Sequence, residues 1–148
     1  MASLISGHKC VCNECKINST DSKSTGRGKE TTFRILNKSG KIIDKYIVDD
    51  CLLKKFERSK KCDYLFNVQE TNVVFLVECK GSDILEAVEQ IQSSLNLLNK
   101  YLVEKIVKGR IVSTKVYSPN IKSRKYSQLR EKLSGGLVTQ NIVLEETI

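Results

Sequence analysis

The sequence predicts a mixed α/β fold with a central mixed β-sheet flanked by helices, and three observations support this prediction. Residues 61–68 and 73–81 have the pattern of two strands of an antiparallel hairpin. The second run is continuously apolar from Val73 to Val77, which is typical of a strand covered on both faces. An amphipathic helix and then another β-type run follow, so the helix is expected to cross over the sheet and make those two strands parallel.

Two further β-type runs precede the central hairpin. Residues 32–36 and 42–48 flank the sequence NKSG at 37–40, and this pattern predicts a second hairpin. Residues 19–30 are rich in Ser, Thr, Gly and Lys, which predicts a linker or a long loop. We therefore expect a polar N-terminal segment at residues 1–30 and one folded domain at residues 31–148.

The helix after the central hairpin has the clearest periodicity in the chain. Ser82 or Asp83 can cap its N-terminus, with Glu86 in the first turn. Apolar residues then recur at helical spacing, so the helix is expected to run to about Val107 and to stop before Gly109. The remaining expected elements are a strand at 110–117 closed by Pro119, a short basic helix at 121–133, a break at Gly135 and Gly136, and a last strand at 137–145.

Size and charge limit the class of protein. The chain has 148 residues, 40% of them hydrophobic, which suits one domain with a two-layer core. No apolar run approaches the about 20 residues of a membrane-spanning helix, and residues 1–8 lack the pattern of a signal peptide. We therefore expect a cytoplasmic protein with no membrane partner. The 25 Lys and Arg against 17 Asp and Glu give a net charge of +8, which favours a polyanion such as nucleic acid as the partner.

Six cysteines without an export signal are expected to be reduced thiols or metal ligands. Cys51, Cys62 and Cys79 stand in apolar surroundings, so we predict that they are small core residues. The N-terminal segment has a separate cluster of soft ligands. Structural zinc is usually held by two ligand pairs, and no second pair follows here, so unliganded thiols and a zinc site both stay open. The four residues that would hold this zinc ion are His8, Cys10, Cys12 and Cys15.

Three charged residues stand at one end of the central hairpin. Asp63 opens its first strand, and Glu78 and Lys80 close its second. Because successive side chains on a strand point to opposite faces, Glu78 and Lys80 share a face and Cys79 points away. The antiparallel return brings Asp63 beside Glu78. Buried charge must be paired or bound to metal, so the arrangement predicts a divalent cation held by the two carboxylates, with Lys80 next to it.

This pattern resembles the motif of the PD-(D/E)XK nuclease superfamily, which has a restriction-endonuclease-like fold. Asp63 matches the aspartate of the motif, Glu78-Cys79-Lys80 matches its E-x-K half, and fifteen residues separate the two acids. Gln90 stands where several branches of the family keep a glutamine on a helix. The resemblance covers roughly residues 42–118 and implies an αβββαβ-type core.

The resemblance implies a metal-dependent endonuclease that hydrolyses phosphodiester bonds in DNA, in repair, junction processing or phage defence. Asp63 and Glu78 would bind Mg²⁺ or Mn²⁺, since hard cations prefer oxygen ligands, and the backbone carbonyl of Cys79 would complete the site. Lys80 would orient the attacking water and stabilise the developing charge, with Gln90 in support. Double-stranded or branched DNA is the expected substrate, and a homodimer or a larger assembly is the expected state.

The chain departs from the family in one place. Many members carry an additional acidic residue on a helix before the first core strand, and the sequence predicts no helix there. Glu30, Asp50 and Glu57 are the acidic residues in the corresponding region. The number of metal ions therefore stays open.

Basic residues form two sets that are distant in sequence. Each set is expected either to hold phosphates of a nucleic acid on one side of the metal site or to be a solvated charged face. The first set is Lys54, Lys55, Arg58, Lys60 and Lys61, and the second is Lys122, Arg124 and Lys125.

Two other interpretations of the sequence remain. A catalytically inactive relative would keep the fold and the basic surface and would bind nucleic acid or a protein without a metal. Alternatively, a zinc-bearing interaction module at residues 10–15 would use the sheet as a scaffold. The nuclease interpretation requires that Asp63, Glu78 and Lys80 converge at an open site.

Overall fold

The central hairpin and its helix organise the structure, a computed structural model that describes residues 16–19, 23–27 and 30–148. The strands are β1 Lys16–Ser19, β2 Lys23–Arg27, β3 Thr32–Leu36, β4 Ile43–Ile47, β5 Tyr64–Val68, β6 Val73–Lys80, β7 Ile106–Ser113, β8 Leu137–Asn141 and β9 Val143–Thr147. The helices are α1 Ile84–Leu97, α2 Asn99–Leu102, α3 Ser118–Ile121 and α4 Arg124–Lys132, and a π-helical turn spans Val48–Leu52.

The described strands form two sheets. The larger is mixed, with the order β1-β4-β5-β6-β7-β8, and the smaller has the order β2-β3-β9. The predicted hairpin is confirmed as the antiparallel pair β5 and β6, and the predicted crossover is confirmed because β6 and β7 are parallel on either side of α1. The mixed α/β class is therefore confirmed.

Strand β6 is covered on both faces, as its apolar run predicts. Val74 and Leu76 belong to a core cluster that includes Ile84, Val88 and other residues of α1. Phe75 and Val77, which point to the opposite face, belong to a second cluster with Phe33 and other residues of the smaller sheet. The site residues at the end of β6 therefore stand in a strand between two apolar layers.

The predicted hairpin of residues 32–36 and 42–48 is wrong, although both strands form. Strand β3 pairs with β2 and, in parallel, with β9, whereas β4 pairs with β1 and β5 in the other sheet. The turn at residues 37–40 thus connects two sheets. The expectation of a linker at 19–30 is also wrong for β2. Strands β1 and β2 pair with β4 and β3 across the predicted boundary near residue 30, so they belong to the same sheets as the strands that follow it.

The long helix ends earlier than its apolar pattern predicts. Asp83 is its N-cap and accepts a hydrogen bond from the backbone N–H of Glu86, as expected. Helix α1 stops at Leu97, and the buried Leu98 and Leu102 continue the apolar pattern through the separate helix α2. Gly109 lies inside β7. A Cβ there would come within 2.5 Å of Leu133 Cδ1, so the absence of a side chain at this position allows close packing.

The C-terminal elements also differ in detail from the prediction. The basic helix is divided into α3 and α4, and Pro119 lies in the first turn of α3 and does not close a strand. The expected last strand is two strands, β8 in the larger sheet and β9 in the smaller one, separated at Ile142, which has a φ of 66°. Among the described residues, none of the helices combines the length and the apolarity needed to cross a lipid bilayer.

Candidate functional site

The pairing of β5 with β6 places Asp63 beside Glu78. Tyr64 lies opposite Val77 in the antiparallel register, and the backbone N–H of Asp63 donates to the carbonyl of Val77 at 3.1 Å. The Asp63 carboxylate oxygen Oδ2 in turn accepts a hydrogen bond of 2.9 Å from the backbone N–H of Cys79. Asp63 is thus fixed across the end of β6 by contacts on both sides of Glu78.

The two carboxyl groups interact in a largely apolar environment. Glu78 is only 3% exposed. Burial, followed by the charge of Asp63, raises the pKa of Glu78 to about 9, although Lys80 acts in the opposite direction. Burial is also the main reason that the pKa of Asp63 is raised, while the hydrogen bond from the backbone N–H of Cys79 acts in the opposite direction. The pair therefore favours a protonated Glu78 at neutral pH in the absence of a cation.

Two buried side-chain oxygens, one on β6 and one on α1, have no hydrogen-bond partner among the described residues. Within the described part of the chain, neither Oε1 of Glu78 nor Oε1 of Gln90 has a hydrogen-bond partner. Gln90 lies in α1, which packs against the face of β6 that carries Glu78. A buried polar oxygen without a partner is costly, and each of these two oxygens can accept a hydrogen bond or contact a cation.

Asp63 and Glu78 are the side-chain oxygen donors that the described part of this site offers to a metal ion. No three His, Cys, Asp or Glu side chains of residues 16–19, 23–27 and 30–148 form a metal-binding group. Magnesium is commonly bound through one or two carboxylates, with waters and substrate phosphate oxygens as the other ligands. A magnesium site formed by the Asp63 and Glu78 carboxylates and the carbonyl of Cys79 therefore stays a prediction.

Lys80 lies on the same side of β6 as Glu78 and is accessible. Its Nζ is 3.3 Å from Oε2 of Glu86 in α1, and its side chain is 25% exposed. A cleft of about 290 Å³ reaches Lys80 and Gly81 and is also lined by Glu30, Thr31, Cys79 and Thr114. Nothing described lies within 4 Å of a Cβ built on Gly81, and neither Asp63 nor Glu78 lines this cleft.

A further acidic residue at the site, Asp49, was missed by the sequence analysis. It lies in the π-helical turn after β4, and its charge raises the pKa of both Asp63 and Glu78. The Nζ of Lys61 is 3.4 Å from Oδ1 of Asp49. No helical periodicity marks this turn, so its sequence gave no signal beyond the adjacent acids Asp49 and Asp50.

Replacing Asp49 with asparagine should lower the pKa of Glu78 and of Asp63. We expect a change of less than about one pKa unit, because Asp49 is half exposed and water screens its charge. Carboxyl-carbon NMR titration of the metal-free protein would measure both pKa values. An unchanged pKa of Glu78 in Asp49→Asn would show that Asp49 has no electrostatic contact with the site.

The other acids that were considered lie in different places. Glu30 lines the cleft at Lys80, whereas Glu57 lines a separate cleft with Lys55, Phe56, Arg58 and Ser59. The side chains of Asp50 and Cys51 lie outside the described part of the structure. The zinc-ligand candidates His8, Cys10, Cys12 and Cys15 also lie outside the described residues, so that prediction stays a prediction. Cys62 is fully buried in the core, as expected, and Cys79 is half-buried.

The two basic sets meet on α1. Lys60 of the first set and Lys125 of the second both form ion pairs with Glu89. Lys61 differs from the others because it is buried and its Nζ is directed to Asp49 and to the carbonyl of Leu53. Little of the Lys61 side chain is therefore accessible to a phosphate. The remaining predicted residues are exposed, and they are Lys54, Lys55, Arg58, Lys122 and Arg124.

The comparisons with known proteins do not identify the chain. No protein-family model, curated protein or solved structure matches it.

Proposed function

We propose that this chain is a metal-dependent nuclease with an active site formed by Asp63, Glu78 and Lys80. The observation that carries the proposal is the meeting of two mostly buried carboxyl groups next to a lysine that an open cleft reaches. Burying two adjacent acids is unfavourable unless a cation or a proton compensates them. Packing of the sheet alone gives no reason for this arrangement.

Asp63 and Glu78 would hold Mg²⁺ or Mn²⁺, with the carbonyl of Cys79 as a further ligand. The unpartnered Oε1 of Glu78 supports this assignment because it is a buried oxygen that a cation would satisfy. When bound, such an ion supplies a water of lowered pKa and neutralises charge on a phosphate. The order β4-β5-β6-β7, with α1 between the parallel pair, is also compatible with the core that the family resemblance implies.

Lys80 and Gln90 would act on the substrate and on its water. The ammonium group of Lys80 would contact a non-bridging phosphate oxygen and stabilise the charge that develops there. Its pairing with Glu86 is partly exposed, and such pairs contribute about 0–1 kcal/mol, so a phosphate can replace Glu86 at little cost. The Oε1 of Gln90 would accept a hydrogen bond from the attacking water and orient it.

Nucleic acid is the proposed substrate class because the chain carries a net charge of +8. Within that class we propose DNA, either double-stranded or branched. A homodimer or a larger assembly is proposed because a chain of 148 residues has little surface beyond the active site for recognising DNA.

A second candidate function is nucleic-acid binding without catalysis. The observation that favours it is the ion pair of Lys80 with Glu86, because this pair directs the ammonium group to Glu86 in the free protein. The two functions differ in whether divalent metal is required for any effect on the nucleic acid. A cleavage assay therefore separates them.

The test is cleavage of linear, nicked, branched and single-stranded DNA, with RNA for comparison, in Mg²⁺ or Mn²⁺. The wild type should cut at least one DNA substrate, and EDTA should stop it. Glu78→Gln should lower the cleavage rate at least about a hundredfold, because loss of a ligand removes several kcal/mol of charge stabilisation. Glu104→Gln is the matched control, since Glu104 is exposed and precedes β7 at the opposite end from the site. Binding without cleavage in all conditions would instead support the non-catalytic function.

A further inference from the structure

Glu89 joins two basic segments that are far apart in sequence. Its Oε2 forms an ion pair with Lys60, which precedes β5, and its Oε1 lies 2.5 Å from the Nζ of Lys125 in the first turn of α4. One carboxylate therefore brings together two ammonium groups from different elements. Hydrogen bonds from Lys125 and then Lys60 lower the pKa of Glu89 to about 2, so the carboxylate is ionised at neutral pH.

All three side chains are accessible. The side chains of Lys60 and Lys125 are 51% and 59% exposed, and that of Glu89 is 35% exposed. Exposed ion pairs of this kind add about 0–1 kcal/mol to stability, so these ion pairs contribute little to the free energy of folding. An ammonium group also has three donors, and each lysine keeps some of them free for another anion.

The cluster is adjacent to the candidate active site. Glu89 follows Glu86, the partner of Lys80, by three residues on α1, a rise of about 4.5 Å along the same side of the helix. Lys60 precedes Asp63 by three residues, and its pKa is raised first by Glu89 and further by Glu86 and Asp83. A polyanion that places one phosphate at Lys80 would therefore pass close to Lys60 and Lys125.

We propose that Lys60 and Lys125 form one phosphate-binding position for the nucleic-acid backbone next to the catalytic site, and that Glu89 occupies it in the free protein. The inference rests on the proposed function. A carboxylate that bridges two ammonium groups makes the same contacts that two oxygens of a phosphodiester would make. A bound backbone phosphate would take these contacts, and Glu89 would be displaced into solvent. Glu89 is therefore an internal competitor that lowers affinity for nucleic acid.

The test is equilibrium binding of fluorescent duplex and branched DNA in EDTA, over a range of salt concentrations. Lys60→Gln and Lys125→Gln should each weaken binding, and the double variant should reduce the slope of log affinity against log salt by about 0.9, the value for one lost phosphate contact. Lys38→Gln, at an exposed turn before β4, is the matched lysine control and should leave the slope unchanged. Glu89→Gln should raise affinity by about three- to tenfold at low salt, because both lysines lose their competitor.

The decisive measurement is the coupling between these substitutions. Glu89→Gln should have little effect once both Lys60 and Lys125 are glutamine, because no competition then remains. The proposal is wrong if Glu89→Gln changes affinity no more than Glu104→Gln does, or if the effect persists in the double lysine variant.

Binding that follows the expected pattern without cleavage in Mg²⁺ would refute the proposed nuclease function and leave the proposed phosphate position unaffected. Cleavage that is unaffected by all three substitutions would refute only the phosphate position. Absence of any binding to nucleic acid would refute both.

Discussion

Lys80→Ala should lower the cleavage rate at least about a hundredfold and weaken DNA binding by no more than the loss of one phosphate contact, about tenfold. Removing one preorganised positive group from a phosphoryl-transfer site typically costs a factor of about 100–1000 in rate. Lys80 contributes little to folding, because its ion pair with Glu86 is partly exposed. Single-turnover cleavage and fluorescence binding would give the two quantities separately.

The control for this substitution is Lys38→Ala, which removes an exposed lysine far from the site. Glu86→Gln is the informative companion, because it releases Lys80 without removing its charge. We expect Glu86→Gln to cut at least as fast as the wild type. If Lys80→Ala were as active as the wild type, the residue would have no catalytic role, and any activity would arise elsewhere in the chain.

Glu78→Gln should stabilise the metal-free protein at pH 8 relative to the wild type by about 2 kcal/mol or more, and much less at pH 5. The pKa of Glu78 rises from 4.5 to about 9 on folding, so between these values the folded state binds a proton that the unfolded chain does not. By linkage, the free energy of unfolding falls as pH rises through this window, by about 1.4 kcal/mol for each pH unit. Glutamine cannot ionise, so the variant avoids this loss.

Urea unfolding in EDTA at several pH values between 5 and 8 would measure the effect. Because Asp63 and Glu78 interact, the difference between the two proteins reports on the pair, with the burial of Glu78 as its largest cause. Added Mg²⁺ should restore stability to the wild type at pH 8 and should do less for Glu78→Gln, which lacks the ligand. A difference between the two proteins that does not grow with pH would show that Glu78 is not held protonated.

Much of the candidate site follows from local pattern. The alternation of side chains along β6 puts Glu78 and Lys80 on one face, and the short return between β5 and β6 brings Asp63 to the same end. The helix start at Asp83 follows from the cap and from Glu86 in the first turn. These features depend on contacts within about twenty residues, so the sequence is sufficient to predict them.

The features of the fold that the sequence patterns predict wrongly have a different physical origin. A turn signal at residues 37–40 predicts a change of chain direction but does not say which strand will be the partner, and β3 pairs with β9 more than a hundred residues later. The apolar pattern of α1 continues through α2 because both helices pack on the same core, so periodicity alone does not show the break at Leu98. Gly109 resembles a helix terminator, yet its role is to admit Leu133 against β7.

The central hairpin, the crossover helix and the positions of Asp63, Glu78 and Lys80 at one end of the hairpin can be predicted from the sequence, because each depends on the spacing of nearby side chains. The burial that raises the pKa of Glu78 depends on tertiary packing instead, since two layers that include distant segments must cover β6. The same holds for Asp49 at the carboxyl pair and for Glu89 between Lys60 and Lys125. Electrostatic contact depends on distance in space, and no periodicity along the chain records it.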